Sequence, residues 1–179
     1  MSILFGGVRQ VGYVVRDIEQ AMLQWARLGV GPWFYKEEVV STEFRYHGKP
    51  SALPKLSIAL ANSGDLQLEL IQQRDDAPTL YLDSLRRQGE CAQHVAYWTN
   101  DRFDAMCAQL LELGYIEGHA GRMGAQRGRF AYFVHPLLAS AMIEISEGTG
   151  GKAEYFEQVR MAAAAWDGTD PIRRIGAAR

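Results

Sequence analysis

Hydrophobic and polar positions along the chain follow one pattern twice. Setting Gln10 over His94 lays VGYVVRDIEQAM beside VAYWTNDRFDAM, with Val11 on Val95, Tyr13 on Tyr97, Asp17 on Asp101, Ala21 on Ala105 and Met22 on Met106. After a gap of one residue, Leu28 and Gly29 fall on Leu113 and Gly114. Each copy opens on a β-branched and aromatic run that predicts a strand, followed by an Asp where a helix N-cap belongs. Gln20 and Asp104 stand three residues later, where a capping-box partner sits. Ile18, Met22, Trp25 and Leu28, and in the second copy Phe103, Met106, Leu110 and Leu113, recur at steps of three and four, which predicts one apolar helix face in each. Gly29 and Gly114 close those helices.

The copies also end alike. KLSIALANSGDLQLELIQ and GRFAYFVHPLLASAMIEISE both predict strand, turn, strand, with turns near Asn62 to Asp65 and His135 to Ser140. A middle strand is expected over Lys36 to Tyr46, and its counterpart over the Gly- and Arg-rich stretch Gly121 to Gly128. Each half is therefore βαβββ, and the fold class is α+β, with two paired modules at about 8–71 and 92–147 in one domain, 1–150. A linker helix is predicted over 76–89, starting near Pro78 and ending at Gly89. Residues 151–179 form an extra C-terminal helix, Lys152 to Ala165, and an irregular tail pinned by Trp166 and Ile172.

Composition narrows the function classes. The 179 residues are 47% hydrophobic and 22% charged, which suits a folded globular protein and not a disordered one. With 19 Lys and Arg against 21 Asp and Glu, the net charge of -2 provides no field for nucleic acid. Apolar runs are too short for a membrane span, and the protein is expected to be cytoplasmic. Cys91 and Cys107 lack the spacing of a zinc motif or a disulfide framework and are expected to be reduced. Serine hydrolase, P-loop and dinucleotide fingerprints are absent.

Four polar residues occupy equivalent strand positions: Gln10 and His94 in the first strands, Glu69 and Glu144 in the last. Leu68-Glu69-Leu70 and Ile143-Glu144-Ile145 each place a carboxylate opposite an apolar pair. Taken singly, such a glutamate fits the solvent face of a sheet. Their matching places in two copies fit a shared cleft instead, where one imidazole, one amide oxygen and two carboxylates suit a divalent cation such as Zn²⁺, Ni²⁺, Co²⁺ or Mn²⁺.

These residues carry a resemblance. From about Val8 to Glu147 the halves resemble the paired βαβββ modules of the vicinal oxygen chelate superfamily, which includes glyoxalase I, methylmalonyl-CoA epimerase, extradiol dioxygenases and bleomycin-resistance proteins. The resemblance implies metal ligands at Gln10, Glu69, His94 and Glu144, an eight-stranded pair of sheets and a homodimer. The order Gln, Glu, His, Glu is similar to that of eukaryotic-type glyoxalase I. Epimerases typically have His, Gln, His, Glu, from which this chain departs at two positions, and Gln10 replaces a histidine of the dioxygenase set.

The function this implies is a glyoxalase-like, metal-dependent lyase or isomerase acting on a small α-oxygenated substrate. By resemblance Glu144 is the base and Glu69 returns the proton. The alternatives are an acyl-CoA epimerase and a non-catalytic protein that sequesters an aromatic ligand. Arg122, Arg127 and Arg129 fit either a clamp for a substrate anion or a solvated loop. Trp33 and Phe34 fit core packing, with a cleft lining as the alternative. His47, His119 and His135 fall in turn-like segments and receive no role.

Overall fold

Alternation along the first strand, β1 (Gln10–Val14), sends Gln10, Gly12 and Val14 to one face and Val11 and Tyr13 to the other. The second face receives helix α1 (Ile18–Arg27), whose Ile18 and Met22 are fully buried against Tyr35, Leu68 and Leu70. Burial of each such side chain contributes on the order of 2 kcal/mol. Asp17 caps α1 by accepting from the Gln20 backbone N–H at 3.0 Å, and Gly29, at φ 80°, ends it. The computed structural model describes residues 1–39, 41–123, 128–138 and 142–176. Arg127, and part of the expected second hairpin turn, lie outside these residues.

The first module continues through β2 (Trp33–Val39), β3 (Ser41–Tyr46), the short β4 (Lys49–Pro50), β5 (Leu56–Ser63) and β6 (Leu66–Gln73). Helix α2 (Leu80–Gln88) leads to the second module, comprising β7 (Cys91–Thr99), α3 (Phe103–Glu112), β8 (Ile116–Met123), β9 (Arg129–Val134) and β10 (Met142–Glu147). Helix α4 (Lys152–Ala164) and β11 (Ile172–Arg174) complete the chain. These strands, those of the described residues, join one sheet, ordered β11-β2-β5-β6-β1-β7-β10-β9-β8-β3-β4. The antiparallel β1 and β7 ladder fuses the two modules at the centre.

The middle strand expected over Lys36 to Tyr46 is two strands. Residues through Val39 pair with β5 at one end of the sheet, and those from Ser41 pair with β8 at the other. Neighbouring chain positions cannot be far apart, so the two ends of the sheet curl together into a cup. The counterpart in the second module begins earlier than expected, at Ile116, and ends at Met123. The tail is not wholly irregular, since Ile172–Arg174 adds a parallel strand to β2. Ile172 packs into the α1 core, and the Trp166 ring covers Gly31 so closely that a Cβ there would meet it at 2.8 Å.

Other local expectations fail for visible reasons. Helix α3 starts one residue later than the repeat implies, with Arg102 as N-cap and no side-chain capping bond, while Thr99 accepts from the Arg102 N–H at 2.9 Å. Asp104 is drawn instead to Arg129, 2.7 Å away. Leu28 and Leu113 are exposed, because both helices have ended by then. Helix α2 is shorter than the linker expected over 76–89. Thr79 caps it, and Leu80 and Tyr81 plug one end of the cup beside Val14, Ile71 and Tyr132. Helix α4 packs Phe156 and Val159 against Leu60 from elsewhere on the concave face. No helix of the described residues is long and apolar enough to cross a membrane. Cys91 and Cys107 are free.

Candidate metal centre

The four strands at the middle of the sheet build the site in two rows. Strand register aligns Glu69, Gly12 and His94 in one row, and Gln67, Gln10, Ala96 and Glu144 in the next. Residues in register across neighbouring strands project to the same face, so all of these side chains enter the concave side. Gly12 and Ala96 are the small members, equivalent in the repeat, and they leave room for the large ones. His94 uses that room fully. A Cβ on Gly12 would fall inside the imidazole, overlapping Cε1, Nε2 and Nδ1.

His94, Glu69 and Glu144 are all buried. His94 Nε2 lies 3.3 Å from Glu144 Oε2 and 3.5 Å from Glu69 Oε2. Nδ1 of the same ring is 2.9 Å from Gln93 Oε1 and donates to it, which turns Nε2 toward the carboxylates. One ligand atom from each of the three residues lies within 4.8 Å of the others. Glu69 Oε2 is buried with no well-aligned hydrogen bond, its contact with His94 Nε2 being long, an arrangement that costs free energy unless something else occupies the space it faces. Gln10 lines the same space and donates its Nε2 to Gln67 Oε1 at 2.7 Å, leaving its amide oxygen as the group it can offer a cation. An imidazole nitrogen and two carboxylates, with one nitrogen fixed by a neighbouring amide, are a donor set that fits a divalent ion such as Zn²⁺, Co²⁺, Ni²⁺ or Mn²⁺.

Without a cation the three groups share protons unequally. Burial works against charge on His94, but hydrogen bonds and attraction from Glu144 and Glu69 prevail and push it up to about 9. Burial also raises Glu144, yet His94 and the nearby Lys152 pull it below the ordinary carboxylate range. Glu69 goes the other way, raised by burial and by Glu144 beyond what His94 offsets. Two carboxylates with environments that separate their proton affinities are the usual arrangement of an acid and base pair.

Above the cluster is a cavity of about 380 Å³, mostly apolar, walled by Phe34, Phe44, Tyr81, Phe130, Tyr132 and Phe156 among others. The Tyr81 hydroxyl donates to that of Tyr132 at 3.0 Å, which in turn lies 3.5 Å from His94 Nε2. A second, more polar groove of about 590 Å³ carries Arg9, Arg102 and Arg160 and shares Ser146, Lys152 and Phe156 with the first.

The remaining candidates divide between the cavity wall and other parts of the fold. Strand parity separates Trp33, which is fully buried under α1, from Phe34, which faces the cavity. Arg129 donates to Glu147 from Nε at 3.2 Å and Nη2 at 2.9 Å, and lies over the Phe103 ring. That guanidinium holds the Glu147 carboxyl at about 2. Arg122 pairs with Glu43 at 3.4 Å. Neither arginine lines the cavity. His119 is in strand β8, not a turn, fully buried among Phe44, Tyr81, Phe130 and Tyr132, and it accepts from the Leu80 N–H at 3.3 Å.

A model of the Glyoxalase/Bleomycin resistance protein/Dioxygenase superfamily matches residues 9–133, well over half of the chain. The chain belongs to this superfamily. Among solved structures, a methylmalonyl-CoA epimerase from Mycobacterium tuberculosis is similar with a TM-score of 0.57 and 21% identity, over 86% of this chain and 96% of its own. The Streptomyces coelicolor methylmalonyl-CoA epimerase in complex with 2-nitronate-propionyl-CoA matches with a TM-score of 0.52 at 18% identity, over 80% and 97%. A hypothetical protein from Bacillus halodurans C-125 gives 0.52 at 17%, over 80% and 95%. At these identities the shared property is the fold. No curated protein sequence matches the chain. The superfamily's paired modules are the two halves of the cup, and the Glu69, His94 and Glu144 cluster lies on their common concave face.

Sequence reasoning missed Gly12, Tyr81, Tyr132 and Lys152. Only Gly12 carries a local signal, because a glycine inside a β-branched strand marks a close approach. The others reach the cavity through long-range packing that no short pattern encodes.

Proposed function

We propose that this superfamily member is a metal-dependent isomerase of the acyl-CoA epimerase type, moving a proton on and off the carbon next to a carbonyl. The glyoxalase-like lyase reading calls on the same groups, and the epimerase reading is preferred for the solved structures that share the fold. The observation that carries the proposal is the convergence of two buried carboxylates, from opposite modules, on one buried imidazole at 3.3 and 3.5 Å.

Glu69, His94 and Glu144, with Gln10 beside them, would hold the cation. When bound, it supplies Lewis-acid stabilisation of negative charge on a substrate oxygen. Each carboxylate has two oxygens, so one can face a cation and the other a substrate. Glu144, the carboxylate that stays ionised, takes the α-proton; its O–H forms as the C–H breaks, and the electron pair moves to the carbonyl oxygen as an enolate. Glu69, on the other module's side, would return a proton to the same carbon. The pair is then set for the reverse direction, as an epimerase requires. The aromatic walls exclude water, which strengthens every electrostatic contact inside. The adjoining groove, where Arg9 and Arg102 stand among Asp65, Asp101, Glu147 and Glu157, offers mixed-charge polar contacts for the remainder of an extended substrate.

The test is deuterium exchange. Protein loaded with Co²⁺ and incubated with methylmalonyl-CoA in D₂O is expected to exchange the α-proton and invert the centre, followed by proton NMR and circular dichroism. Glu144→Gln should slow exchange by about 10²- to 10⁴-fold. Exchange that is absent in the wild type, or unchanged in Glu144→Gln, removes the isomerase reading; tight binding of an aromatic ligand alone would support sequestration.

A further inference from the structure

We propose that Lys152, from the C-terminal helix, selects the substrate: its ammonium receives a carboxylate carried by the molecule whose reactive carbon lies at Glu144. This rests on the isomerase reading above and adds the residue that would distinguish an acyl group bearing an acid from one without.

Placement comes first. Strand β10 ends at Glu147, and the run Gly148-Thr149-Gly150-Gly151 turns the chain back within four residues. Gly150 and Gly151 have φ of 66° and 83°, a backbone region glycine enters without strain, and a Cβ on Gly148 would collide with Asn100. The reversal sets α4 on the concave face and returns its first residue over the strand it has just left. Lys152 Nζ donates to Ser146 Oγ at 2.5 Å, and Ser146 is two residues past Glu144 on the same face of β10. Lys152 lies beyond the residues that the superfamily model matches.

The surroundings point to an anion. Lys152 is buried, an uncommon position for an ammonium, and burial of an unpaired charge is costly. Its hydrogen bond goes to a neutral hydroxyl, with the Phe156 ring 5.6 Å from Nζ, and among the described residues no carboxylate forms an ion pair with it. Burial lowers its proton affinity against the pull of Glu144, Glu69 and Glu147, and with a cation drawing on Glu69 and Glu144 it would be a further buried positive charge of the cavity. An ammonium has three donors, and one is used by Ser146. Lys152 also lines both the cavity and the adjoining groove, which puts its charge where the two spaces meet.

The experiment titrates Co²⁺-loaded protein calorimetrically with malonate and with monomethyl malonate, which differ by one carboxylate charge, and measures cation content by elemental analysis before and after. The wild type is expected to prefer malonate by about tenfold or more. Lys152→Met should lose that preference with its cation content unchanged, and Lys152→Arg, which keeps the charge, should retain most of it. Thermal unfolding of both variants verifies the fold. The proposal is overturned if Lys152→Met keeps the preference, if Lys152→Arg loses it as fully as Lys152→Met, or if Lys152→Met loses the cation, which would make Lys152 a support of the metal centre. A wild-type protein that takes up no cation fails the isomerase reading itself, before any ligand is added, and the inference about Lys152 falls with it.

Discussion

Gly12→Ala is expected to abolish tight cation binding while leaving the two-module fold in place. The Cβ would occupy the volume of the His94 ring, so the ring must rotate off the concave face or the β1 and β7 ladder must open. Overpacking of this kind costs about 1 to 3 kcal/mol in stability. The larger effect is on function, because Nε2 leaves its place between Glu69 and Glu144 and the Nδ1 bond to Gln93 is lost. Disturbing such an orienting bond alone lowers metal affinity about 10- to 100-fold, and displacing the ring removes a ligand outright. Ala96→Gly, at the equivalent position of the other module, is the control: it should destabilise by roughly 0.5 to 1 kcal/mol and leave cation binding nearly intact. Calorimetric titration with Co²⁺ and thermal unfolding of both variants test the contrast. Tight binding in Gly12→Ala would show that His94 does not depend on the missing Cβ.

The second large effect is a steep rise of cation affinity with pH. His94 holds its proton up to about 9, and Glu69 is raised as well, so at neutral pH a cation must displace at least one proton. Each displaced proton changes the apparent affinity by about tenfold per pH unit, giving about a hundredfold or more between pH 6 and 8. Stability of the cation-free protein follows the opposite course. A histidine with a folded pKa above its unfolded value of 6.5 contributes stability that is complete below pH 6.5 and is lost as pH rises through about 9. Titrations in buffers of different ionisation enthalpy count the protons released, and unfolding of chelator-treated protein from pH 6 to 10 follows the second trend. An affinity that does not change with pH would mean that the cation is held by groups already free of protons.

Much of the candidate centre is legible in the sequence, because duplication writes it twice. Gln10 and His94, and Glu69 and Glu144, are equivalent in the repeat, and strand parity turns Glu69 and Glu144 away from their apolar neighbours. What parity cannot show is how strands from different modules meet. Val39 and Ser41 look continuous in sequence, yet they belong to opposite ends of the sheet, and this crossing curls it into a cup. Lys152 follows a glycine run that marks a turn but not its direction. Tyr81 is read from its helix pattern as part of a linker and proves to be a wall of the cavity. The arginines illustrate the reverse case: Arg129 is committed to Glu147 and Asp104, partners far away in sequence, and a local cluster of charge gave no indication of them. Trp33 and Phe34 divide between core and cavity as neighbours on a strand must.

The proposed isomerase requires one cation per chain held by Glu69, His94 and Glu144. Elemental analysis and calorimetry after loading with Zn²⁺ and with Co²⁺ measure this directly. Saturation at one equivalent in the wild type, and loss of that equivalent in His94→Ala and in the Glu69→Ala, Glu144→Ala double variant, is the predicted result. No saturable uptake, or uptake that persists unchanged in both variants, would contradict it.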